Sequence, residues 1–153
     1  MSRFEQLQAT HSDSNSLNRA YWQDLASMVE KIGKDFEVYL GVPAGLLFAT
    51  KNTAASAVSI GSLVDESHFK VMAPESLPQS GSAIPFALRL IVDDVGSQPS
   101  PQIIFSLSVS KSDKGYPVVL LSDPTEPAFN GPIHTQLFEK MYAFAMKHFS
   151  TRL

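Results

Sequence analysis

The chain has 153 residues, 44% of them apolar, and a net charge of −3 from twelve basic and fifteen acidic side chains. That is the size and composition of one folded domain, which excludes a disordered or fibrous chain. There is no cysteine, so disulfides, thiolate zinc sites and cysteine nucleophiles are excluded together.

No run of about 18 apolar residues occurs, so no membrane-spanning segment is expected. The opening residues Met1–Gln6 lack the apolar stretch of a signal peptide, and a cytoplasmic location is the expectation. Charged residues make up only 18% of the chain, below the usual level of about 25%. Serines number 20, and many alternate with apolar residues in the middle third. Neutral hydroxyls in that rhythm suit strands with one wet face.

Residues 1–15 read as a flexible polar lead-in, with Phe4 and Leu7 as its only apolar anchors, ending in the capping types His11-Ser12-Asp13-Ser14-Asn15-Ser16. A helix is predicted from about Leu17 to Gly33 or Phe36. Leu17, Tyr21, Leu25, Met28 and Ile32 fall on one side of it, widened by Trp22 and Val29. Pro43, between Gly41 and Gly45, is a firm stop.

From Leu46 to about Asp123 the period becomes two. Strands are predicted at Leu46–Thr50, Ser56–Val64, His68–Ala73, Ile84–Asp93, Ile103–Val109 and Val118–Leu121, with turns at Lys51-Asn52-Thr53 and Ser112–Gly115. Loops this short favour antiparallel pairing, because parallel strands need crossover segments that are absent here. A last helix is predicted from Asn130-Gly131-Pro132 to about Phe149. Lys147 and His148 near its end complement the helix dipole. The expected fold is α+β: a single domain over 16–153 with an N-terminal helix, an antiparallel sheet of five or six strands and a C-terminal helix, both helices on one sheet face.

Catalytic and cofactor signatures of the G-x-S-x-G, H-E-x-x-H, G-x-G-x-x-G and P-loop kinds are missing. No catalytic residue, metal ligand or cofactor is therefore assigned. Asp65-Glu66-Ser67-His68 is the nearest approach to a metal cluster and reads as a polar turn. Asp123 and Glu126 could form an acid/base pair, but Asp123-Pro124 is equally a turn starter. Basic residues are scattered and have acidic neighbours, so nucleic acid is not an expected partner.

The C-terminal helix carries more apolar surface than a sheet requires. Ile133, Leu137, Met141 and Phe144 form one stripe; Phe138, Tyr142, Ala145 and Phe149 form another beside it. The expectation is a non-catalytic protein-interaction module (an adaptor, a secretion-type chaperone or an inhibitory or immunity partner). Phe138, Tyr142 and Phe149 would contact another protein or a second copy in a homodimer. The alternative is a small-molecule binder with a pocket lined by Phe48, Phe86, Phe105 and Phe144 between sheet and helices. A metal-free or metal-assisted hydrolytic enzyme comes third.

Overall fold

A 38-residue helix, α1 (Arg3–Leu40), opens the chain in the computed structural model, which describes residues 2–50, 54–65, 68–94, 101–113, 115–122, 127–131 and 133–150. The helix starts well before the expected Leu17, because Ser2 caps it: its Oγ accepts the Glu5 amide at 3.1 Å. Ser2-Arg3-Phe4-Glu5 has the capping-box spacing, a local signal that outranks the turn-prone residues of 11–16. Residues 3–15, expected to be a flexible lead-in, are thus helical, and every residue from Arg3 to Ala20 is exposed. Leu17 shares that exposure, while Leu25, Met28, Val29, Ile32 and Phe36 are buried. Gly33 does not end the helix; it faces Ile60, whose side chain leaves little room for a Cβ there. Gly41 closes the helix in the left-handed conformation, φ 74°, its amide reaching back to the carbonyls of Glu37 and Val38.

Short strands β1 (Leu47–Ala49) and β2 (Ala54–Ser56) pair as a two-stranded arm. The expected strand from Ser56 to Val64 divides at Ala57 into the end of β2 and the start of β3 (Val58–Asp65). β4 (His68–Val71), a 3₁₀ turn at Pro74–Ser76, β5 (Ile84–Ile91), β6 (Gln102–Val109) and β7 (Val118–Leu120) follow, and then α2 (Thr135–Ser150). The main sheet is antiparallel throughout, in the order β4-β3-β5-β6-β7. It is not a plain meander, since β5 returns on the far side of β3 from β4. The turn expected at 51–53, and Pro132 at the expected start of the last helix, lie outside the described residues. That helix begins at Thr135, leaving Ile133 exposed.

Alternation divides the sheet cleanly. Val58, Leu88, Leu90, Phe105, Leu107, Val109, Val118 and Leu120 point to one face and join buried residues of both helices in a single core. Both helices therefore lie on one face of the sheet. Phe36 sits at the centre, edge-on to Phe105 at 6.5 Å between ring centroids and 5.4 Å from Phe138.

Two polar contacts fasten the β6–β7 end. Asp24 of α1 meets Lys111 at 2.7 Å and accepts the Tyr116 hydroxyl at 2.9 Å. Lys111, more than the phenol, holds the Asp24 carboxyl below its ordinary range, against the opposing effect of partial desolvation. His134, just before α2, is buried, and its Nε2 lies 2.9 Å from the Tyr116 carbonyl. A carbonyl only accepts, so Nε2 carries the proton. Burial holds the imidazole below its ordinary value of 6.5, outweighing that hydrogen bond; Lys31 adds to the lowering and Asp35 opposes it.

The unfolded chain therefore binds a proton at His134 that the folded chain resists, so stability falls as pH drops below about 6.5. Urea midpoints are expected to decrease from about pH 7.5 to about pH 5.5, and His134→Gln, which retains an N–H donor, should flatten that slope. An unchanged slope in the variant would reassign the pH dependence to other groups.

Candidate functional site: an apolar groove beside the C-terminal helix

The buried residues of α2 are Leu137, Phe138, Met141 and Ala145. They form the seam between the two stripes expected from the sequence, so each stripe loses its inner edge to the core and keeps an outer one. Phe138 is 4% exposed and packs between Phe36 and Tyr39. Its expected place in a contact surface is corrected: it lies too deep to meet a partner. The same correction holds for Phe86 and Phe105, at 4% and 2% exposed. Their strand positions face the helices, and they fill the core instead of lining a pocket between sheet and helices. Phe144 is half-buried on the opposite flank of α2, beneath the Lys140 ammonium, and lines none of the groove described next.

Tyr142 and Phe149 come together with Phe48. An apolar groove of about 340 Å³ runs between the end of α1, the β1–β2 arm and the outer edge of α2. Leu40, Leu46, Phe48, Tyr142, Met146 and Phe149 are prominent in its wall. A row of rings positions Tyr142: Tyr39 lies 5.9 Å from buried Phe138 and 6.3 Å from Tyr142, so the exposed phenol is buttressed from the core outward. Tyr142 is 46% and Met146 55% exposed. The arm is tied in place by Asp94, whose carboxylate accepts the Ala49 amide at 2.8 Å. Asp93 in turn accepts the Asp94 amide at 2.8 Å.

Two residues expected in a partner surface and one expected in a ligand pocket thus share one site. Met146 was legible in advance, four residues beyond Tyr142 on the same edge. Leu40 and Leu46 were not, because only the fold-back after Gly41 sets them opposite α2. Among the described lining residues, the Tyr142 phenol is the one titratable group. The groove can bury apolar surface, and its described residues supply no acid/base pair, nucleophile–base contact or ligand set.

The sites considered for chemistry read as structural or fall outside the described residues. His68 pairs through Nδ1 with Asp65 at 2.7 Å, both exposed, and the His68 amide donates to the same carboxylate at 3.0 Å, which ties the end of β3 to the start of β4. No group of three or more metal-ligating side chains occurs among the described residues. Asp123 and Glu126 lie outside them. No helix among them is long and apolar enough to cross a membrane. The fold and the groove together define an α+β domain with helices on one side of an antiparallel sheet and an apolar cleft at the end of both helices. No protein-family model, curated protein or solved structure matches the chain.

Proposed function

We propose that the protein is a non-catalytic interaction module, of the adaptor, secretion-type chaperone or inhibitory-partner kind, whose groove receives an apolar segment of another polypeptide. The carrying observation is the exposed pair Tyr142 and Met146 beside half-buried Phe149 and Phe48 in one apolar cleft. Aromatic and Met side chains of this kind are enriched at protein interfaces. An amphipathic helix anchors in such a groove through residues spaced three or four apart. Packed rings behind Tyr142 limit the ordering cost of binding.

Native mass spectrometry on protein gently purified from its own cells tests this. A complex with another polypeptide, or a dimer, is expected, and Tyr142→Ser combined with Met146→Ser should weaken it by about thirtyfold or more, as loss of a hot spot does. Thermal unfolding should stay cooperative, because both side chains lie outside the core. A complex indifferent to these substitutions would place the contact elsewhere, and a bare monomer would end the proposal of stable association.

The groove also has the size of a small-molecule pocket, typically about 300–1,000 Å³, and Phe48 contributes to its wall. A monomer that retains an apolar adduct, lost on Tyr142→Ser with Met146→Ser, would favour it.

A further inference from the structure

The face of the sheet turned away from the helices carries a second, chemically different feature. Arg89 of β5 projects there, since Leu88 and Leu90 on either side of it point into the core. Its guanidinium stacks on the Phe69 ring of β4, 4.7 Å from the centroid, although β3 runs between the two strands. The bridge is possible because β3 has Gly61 at the crossing point: a Cβ on Gly61 would strike both the Lys70 backbone and the Phe69 ring. Glycine in β3, an aromatic ring over it and an arginine on the ring make one assembled unit.

Among the described residues that unit has no counterion. The Arg89 Nε is buried without a hydrogen-bond partner, and no ion pair among the described residues engages the guanidinium. An arginine held half-buried and unpaired in a chain so poor in charge carries a desolvation cost that an anion would offset.

Beside it lies a shallow trough of about 260 Å³, with Leu63, Pro85, Ala87, Ser106 and Leu121 in its lining. Ala87 of its lining is the next residue to Arg89 on this face of β5, and Leu63 pairs with Phe69, so the trough begins at the strand positions beside the Arg89–Phe69 stack. A cation at the edge of an apolar trough is complementary to a single negative charge on an apolar body. One guanidinium edge suits the two oxygens of a carboxylate; a phosphate dianion calls for several donors.

We infer that this face binds a free carboxylic acid with an aliphatic body, its carboxylate on Arg89 and its chain along the trough. The site lies on the opposite side of the sheet from the groove and is independent of it.

Titration with octanoate, followed by amide and arginine Nε–H NMR signals, tests the inference. Saturable shifts at the Arg89 Nε–H and the Ala87 and Ser106 amides are expected, with Arg89→Gln weakening binding at least about tenfold. Arg89→Lys keeps a charge but loses the planar two-point contact, and should weaken binding to a smaller degree; it serves if the glutamine variant does not fold. Octanol and inorganic phosphate should each bind at least about tenfold less tightly than octanoate. The inference is overturned if octanol or phosphate matches octanoate, if both arginine variants bind as the parent does, or if the shifts fall at Tyr142, Met146 and Phe149 instead.

Discussion

Phe36→Ala is expected to lower the unfolding free energy by about 3–5 kcal/mol, the range for removing a fully buried aromatic ring. Phe36 has no exposed surface and is where α1, β6 and α2 meet, through Phe105 and Phe138. The cavity would open between two helices and a sheet, where collapse from one side strains the other two. Set against a total stability of about 5–15 kcal/mol, that loss can leave a large unfolded fraction at room temperature. Urea denaturation gives the midpoint and slope that check it. Met146→Ala, on the exposed edge of α2, is the control and should stay within about 0.5 kcal/mol of the parent. Equal losses in the two variants would mean that the outer edge of α2 is covered within the chain, and the groove would then not be a free surface.

Gly131→Ala is the second substitution with a large expected effect. A Cβ on Gly131 would overlap the His134 imidazole, and a Cβ on Gly115, whose φ is 136°, would overlap the Gly131 carbonyl. Neither neighbour can give way freely, because His134 is buried and bonded to the Tyr116 carbonyl, and the Gly131 amide donates to that same carbonyl at 3.2 Å. Overpacking costs about 1–3 kcal/mol and the displaced hydrogen bond about 1 kcal/mol more. His134→Ala removes the obstructing ring. The double variant is therefore expected to be more stable than the sum of the single effects allows, by about 1 kcal/mol or more. Strict additivity in urea melts would show that Gly131 is constrained by its backbone and not by the histidine.

Glycines of this kind also mark where local sequence reading fails. Asn130-Gly131-Pro132 has the composition of a helix start, yet Gly131 is needed because the His134 ring, held on the Tyr116 carbonyl, lies against it, and α2 begins one turn later. At Gly33 and Gly61 the case is similar: glycines that weaken a helix or strand locally are required where Ile60 or the Phe69 ring comes near. Propensity describes a residue's own backbone and carries no information about the segment that will lie against it.

What the sequence determined by itself was the element types and their order, the antiparallel pairing, and the inward faces of β5 and β6, where Leu88, Phe105, Leu107 and Val109 are buried as their alternation requires. Those features follow from periodicity, which is local and survives reading one residue at a time. The capping spacing of Ser2 and Glu5 belongs to the same class, although the polar run after it masked the signal.

Only the tertiary structure decided which side of each apolar stripe became core. On α2, Phe138 and Tyr142 are four residues apart and equally apolar in pattern; α1 covers the first through Phe36 and leaves the second at the groove. It likewise decided that Phe48 would join Tyr142 and Phe149, and that Arg89 would reach Phe69 across a glycine. Each of these depends on distances between segments separated by tens of residues, which chain folding sets and side-chain pattern does not encode.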